Sequence, residues 1–145
     1  MTFSKTQIKS LKKVSIKKKT GYEPALAESL GWIAINERLY DAVKQDGTKV
    51  EFKKQSADQW FDLVKLSECT AKDRQIEILW FMHTAGQVDR VYRCTYGELI
   101  KRLGITKKQL VATRALSLLC KAFKIQIKIP VRKKFISTLP LIWER

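Results

Sequence analysis

Thr95-Tyr96-Gly97-Glu98-Leu99-Ile100-Lys101-Arg102-Leu103-Gly104-Ile105-Thr106 holds two helix starts with a helix stop between them. Thr95 with Glu98, and Thr106 with Gln109, have capping-box spacing. In that motif an N-cap hydroxyl accepts from the third helical amide, and the residue there returns the bond. Gly104 closes the first helix, because glycine takes the left-handed conformation that ends helices at little cost. The spacing therefore predicts a helix from Thr95, a three-residue turn Gly104-Ile105-Thr106, and a longer helix to about Phe123.

Upstream, Thr70-Ala71-Lys72-Asp73 has capping spacing. The helix expected after it runs through about Thr84 and carries Ile76, Ile78, Leu79, Trp80, Phe81 and Met82, apolar almost all round, as in a central helix. Gly86 ends it, and Val88 to Cys94 supplies a short strand through Val91-Tyr92. Downstream, Ile125, Ile127 and Ile129 alternate with Gln126 and Lys128. Pro130 interrupts them and Phe135 to Thr138 returns, so a hairpin is expected.

In that order, and at Thr95 to Thr106 in particular, residues 70–140 resemble the winged helix-turn-helix superfamily. The resemblance implies a mainly α fold with a small β-hairpin, and DNA binding through the second helix and the wing. On a helical wheel, Val111, Ala112, Ala115, Leu116, Leu118, Leu119, Ala122 and Phe123 share one side of residues 107–123. Lys107, Gln109, Thr113, Arg114, Ser117 and Lys121 share the other, where only Leu110 intrudes. Those polar types meet base edges and phosphates, and the helix has no acid. The expected DNA contacts are Lys107, Lys108, Gln109, Thr113, Arg114, Ser117 and Lys121. Lys101 and Arg102 support them, with Arg132, Lys133 and Lys134 at the wing tip.

The net charge of +15 is segregated. Residues 1–20 carry seven lysines and no acid, residues 21–100 are acidic by three charges, and residues 101–145 are basic by eleven. Such segregation aims a field at a polyanion. Residues 1–20 read as a basic flexible arm, with Lys17, Lys18 and Lys19 tracking phosphate. No stretch reaches the roughly 18 apolar residues of a membrane span, and no apolar run follows the basic start, so a cytoplasmic, nucleoid-associated protein is expected. Cys69, Cys94 and Cys120 lack the spacing of a zinc site and read as reduced core residues.

Residues 21–69 read as a helical extension packed on a domain of residues 70–145. Trp32 to Ile35 could be a strand, Asp46-Gly47 is a turn, and Lys49 to Phe52 alternates as a short strand. Ser56-Ala57-Asp58-Gln59 has capping-box spacing and is expected to launch a helix burying Trp60, Phe61 and Val64.

Nucleotide hydrolysis and hydride transfer lack their minimum parts, since neither a phosphate loop nor a dinucleotide fingerprint is present. His83, the only histidine, sits among apolar neighbours and reads as a core residue. Asp46 followed by Glu51-Phe52-Lys53 resembles the acid and Glu-x-Lys pair of the restriction-type nucleases, which implies Mg²⁺ on two carboxylates and a lysine beside the attacking water. A charged edge strand is its bland counterpart. The expectation ranked first is non-catalytic binding of double-stranded DNA, without cofactor, by a transcriptional regulator or a replication or partition factor, with a second copy of the chain as a further partner. An RNA-binding subunit of a larger assembly comes second, and a metal-dependent nuclease third.

Overall fold

The computed structural model describes residues 3–18 and 21–145. Two helices come first, α1 (Lys5–Lys13) and α2 (Tyr22–Ser29), followed by strands β1 (Ile33–Ala34), β2 (Ala42–Val43), β3 (Lys49–Gln55) and β4 (Gln59–Asp62). Helix α3 (Leu63–Ser67) leads to β5 (Glu77–Thr84) and β6 (Gln87–Thr95). Then come α4 (Tyr96–Arg102), α5 (Lys107–Ala115), α6 (Ser117–Ala122), β7 (Lys128–Val131), α7 (Lys133–Ile136) and β8 (Leu141–Glu144).

Six strands form one sheet in the order β1-β2-β3-β5-β6-β8, while β4 and β7 pair separately. Among the described residues only β3 and β5 run parallel. The fold is thus mixed α/β, which overturns the expected mainly α architecture with a small hairpin.

The decisive error lies at residues 76–82. Glu77 apart, this run is apolar because β5 is a central strand buried on both faces, and such a strand reads as a continuous apolar stretch. Ile78 and Trp80 pack on one face with Phe61, Leu66, Tyr96, Leu99, Leu110, Val131 and Ile136. Leu79 and Phe81 pack on the other with Leu11, Leu26, Val50, Phe52 and Val91. Parallel pairing with β3 and antiparallel pairing with β6 then satisfy its backbone on both sides.

The tight turn from β5 to β6 is Ala85-Gly86, both at positive φ (51° and 89°). That is the geometry matching the twist of a two-residue hairpin. The N-terminal segment crosses this turn: Ile16 N–H donates to the Gly86 carbonyl at 2.9 Å. A Cβ at position 86 would stand 2.7 Å from Lys17 Cβ. Instead of an extended arm, residues 5–13 form α1 under a Ser4–Gln7 capping box. Leu11 and Ile16 are fully buried.

The local signals around Thr95 hold. Thr95 caps α4, Gly104 has φ 69°, and Thr106 and Gln109 form the capping box of α5. The winged arrangement does not hold. The long helix is broken at Leu116 into α5 and α6. The alternating segment near Ile129 pairs as β7 with β4 rather than folding back on Phe135 to Thr138, where α7 lies. Residues 59–62, expected as helix, are β4, and α3 starts only at an Asp62 cap. The three cysteines are free and buried. Among the described residues no helix is long and apolar enough to cross a membrane.

Candidate active site

Strands β2 and β3 form a hairpin whose tip holds Asp46, where Asp46 Oδ1 accepts the Thr48 N–H at 2.9 Å. Asp46 is exposed and serves the turn. The acid opposite Glu51 is Asp41, the residue before β2. Its N–H donates to the Val50 carbonyl at 2.8 Å, and Asp41 Oδ2 accepts the Phe52 N–H at 2.7 Å. These backbone bonds bring the Asp41 carboxyl within hydrogen-bonding reach of the Glu51 carboxyl.

Strand pleat sets the remainder. Residues 51, 53 and 55 share one face of β3, so Glu51 and Lys53 project together. Lys53 Nζ lies 3.7 Å from Glu51 Oε2 and 4.8 Å from the centre of the Phe61 ring. Lys65, brought in by α3, donates to the same Glu51 oxygen. The Tyr96 hydroxyl, at the first residue of α4, lies 2.7 Å from the Leu39 carbonyl and 3.0 Å from Glu51 Oε2. With one proton for two acceptors, it ties the loop before Asp41 to the Glu51 carboxylate.

The two acids titrate apart. Burial raises the Asp41 carboxyl and the hydrogen bond with Glu51 raises it further, to about 8. Burial also pushes Glu51 up, but the Asp41 hydrogen bond with the Lys53 and Lys65 ammoniums outweighs it and holds Glu51 below its ordinary value. One proton is therefore shared by a close carboxylate pair near neutral pH. Burial lowers the Lys53 ammonium, with Glu51 opposing.

A cleft of about 440 Å³ opens onto this group, lined also by Tyr22 and Glu23 of α2, by Arg38, and by Lys54 and Gln59. Among the described residues no cluster of three or more acidic, histidine or cysteine side chains stands ready to hold a metal. A cation here would take two carboxylates and complete its shell with main-chain, water or phosphate oxygens. That is the usual habit of Mg²⁺, which binds through one or two carboxylates and keeps several waters.

The residues expected to read DNA are dispersed. Thr113 and Ser117 are buried, and Thr113 Oγ1 donates to the Gln109 carbonyl at 2.7 Å. The Gln109 side chain returns the cap to Thr106 N–H at 2.8 Å. Lys107, Lys108 and Arg114 are exposed on α5, and Lys101 and Arg102 are exposed at the end of α4, with Arg102 donating to the Thr138 carbonyl. Lys121 lies 3.5 Å from Glu68, which also pairs with Arg38 beside the cleft. Arg132 stands at the N-terminal boundary of α7 without a side-chain cap bond, and the first two residues of that helix are Lys133 and Lys134. Lys17 and Lys18 are exposed, and Lys19 lies outside the described residues.

Asp41, Lys65 and Tyr96 escaped sequence reading. Asp41 had a legible signal: Asp46-Gly47 marks a hairpin turn, so the acid facing Glu51 belongs before the preceding strand. No protein-family model matches the chain, and no curated protein matches it.

Proposed function

We propose that the chain is a metal-dependent nuclease that hydrolyses phosphodiester bonds in DNA, with Asp41, Glu51 and Lys53 as its catalytic group. The observation that carries this reading is a buried Glu51 flanked by Asp41, Lys53 and Lys65 at the wall of an open cleft. A pair of carboxylates sharing one proton fits a divalent cation, which would replace that proton and relieve their repulsion. When bound, the cation would lower the pKa of a coordinated water and offset charge on the phosphate.

The protein's own groups would do the positioning. Asp41 and Glu51 would hold the cation, and Lys53 would keep a proton at Nζ to offset charge on the phosphate. Tyr96 and Lys65 orient Glu51 through the oxygen they share. The segregated positive charge supports a polyanionic substrate, since neutralised phosphates supply most of non-specific affinity.

Nicking of supercoiled plasmid in Mg²⁺ or Mn²⁺ tests this. Glu51→Gln and Lys53→Ala are expected to reduce nicking by about 100-fold or more, while Asp46→Asn retains it. Nicking that survives Glu51→Gln would refute the assignment. Salt-sensitive DNA binding without cleavage would favour the second reading, a non-catalytic DNA-binding protein, which rests on the charge segregation alone. Preference for structured RNA over duplex at equal salt would shift the substrate to RNA.

A further inference from the structure

Two residues beyond Lys53, and on the same face of β3, Gln55 lines a second cavity of about 490 Å³. The offset along the strand is roughly 6.6 Å, about two base steps of stacked DNA. Lys133 and Lys134 of α7, Arg90 of β6 and His83 of β5 also line it. Among the described residues neither the Lys133 nor the Lys134 ammonium forms an ion pair, although the Lys133 N–H donates to Asp58 Oδ1 at 2.9 Å. Arg90 is held loosely by Glu144 at 3.6 Å. Asp89, the cavity's acid, is engaged by the Thr84 hydroxyl at 2.6 Å.

Gln55 supplies a second, independent observation. Its side chain is fully buried, its Nε2 donates to the Val131 carbonyl at 2.9 Å, and its Oε1 has no partner. An orphaned buried acceptor costs about 1–3 kcal/mol, so it marks a place where a donor belongs. His83 Nδ1 accepts the Gly86 N–H at 3.1 Å, which leaves Nε2 as the donor of the neutral ring. The cavity therefore combines cations for a phosphate with a buried acceptor for a hydrogen-bond donor.

We propose that this cavity is a nucleotide subsite. It holds one phosphate of the nucleic-acid strand against Lys133 and Lys134, while a donor on the same nucleotide's base or sugar satisfies Gln55. This rests on the nuclease reading for its biological substrate, but its chemistry is separable. A nucleotide carries a phosphate for the lysines and, on its base or sugar, a separate donor for Gln55, so it is the occupant that uses both features.

Binding of cytidine 5′-monophosphate and of inorganic phosphate to the full chain in EDTA, by calorimetry, tests it. Cytidine monophosphate is expected to bind about tenfold more tightly than phosphate. The double variant Lys133→Ala/Lys134→Ala should weaken both by at least that factor, and the remote pair Lys107→Ala/Lys108→Ala should change neither. Gln55→Met should reduce cytidine monophosphate to the affinity of phosphate. Should Gln55→Met fail to fold, the lysine variants still decide the outcome. Equal affinity for the two ligands, or an unchanged affinity in Lys133→Ala/Lys134→Ala, overturns the subsite. Cytidine monophosphate binding by a chain that never nicks DNA would leave the subsite standing and refute the nuclease; nicking without such binding would do the reverse.

Discussion

The Phe52 N–H donates to Asp41 Oδ2 at 2.7 Å, and this bond turns the Asp41 carboxyl toward Glu51, Phe52's neighbour on β3. A backbone amide on one strand thereby aims a side chain from the start of another. Two acids ten positions apart in sequence become a coupled pair through hairpin register.

Asp41→Asn keeps an oxygen for the Phe52 amide and removes the negative charge. It is expected to fold, to weaken Mn²⁺ binding by tenfold or more, and to lose nicking, whereas Asp46→Asn behaves as wild type. Titration calorimetry with Mn²⁺ beside the plasmid assay checks both; equal Mn²⁺ affinity in wild type and Asp41→Asn would remove Asp41 from the site.

The raised Asp41 pKa sets a direction for stability against pH. In the unfolded chain this carboxyl titrates near 3.8, and in the folded protein near 8. The native state therefore holds the extra proton between those values, and metal-free protein loses stability as pH rises through that window. Glu51, depressed in the fold, works oppositely, but only at the acid end around its ordinary value of 4.5. In EDTA, Asp41→Asn should be more stable than wild type at pH 9 by about 2–4 kcal/mol, with the gap closing near pH 4. Thermal melts across pH measure it, and a gap that does not change with pH would contradict the shared proton.

Tyr96→Phe deletes the one hydroxyl proton shared between the part-buried Leu39 carbonyl and Glu51 Oε2, leaving Lys65 on that carboxylate oxygen. The expected cost is about 1–3 kcal/mol of stability and roughly tenfold in metal affinity. Urea unfolding and Mn²⁺ titration separate the two effects, and unchanged metal affinity would make Tyr96 purely structural.

The orientation of the α5–α6 pair is testable without DNA. Ser117 is 5% exposed and Leu118 is 78% exposed. Ser117→Lys should destabilise by at least about 2 kcal/mol, while Leu118→Ser stays within about 0.5 kcal/mol of wild type. The reverse order would mean the polar side faces out.

Gly86→Ala combines a positive φ with a 2.7 Å approach to Lys17. It should cost at least about 1 kcal/mol and loosen the N-terminal segment. Earlier proteolysis near Lys17 and Lys18 would report that release, and an unaltered digestion pattern would count against it.

Local chemistry was legible wherever a few adjacent residues decide the outcome. The Thr95 and Thr106 caps, the stop at Gly104 and the strand at Lys49 to Phe52 follow from neighbouring side chains and backbone preferences. The Glu51 and Lys53 pair was legible too, because two residues of one strand at spacing two must share a face. Leu110 was the sign that the wheel had been turned the wrong way. With Thr113, Ser117 and Cys120 it makes the buried stripe of α5 and α6, and Val111, Leu118, Leu119 and Phe123 are left outside.

What only the tertiary structure decided is which surfaces exist for each element to bury against. An apolar run such as 76–82 has no period of its own when both of its sides are covered, so helix and strand stay equivalent until β3 and β6 take up its backbone. Tyr96 and Glu51 stand 45 positions apart and meet only because α4 packs on the face of the sheet from which Glu51 of β3 projects. Contacts at that separation depend on how the whole chain shares its core, and no local preference encodes them.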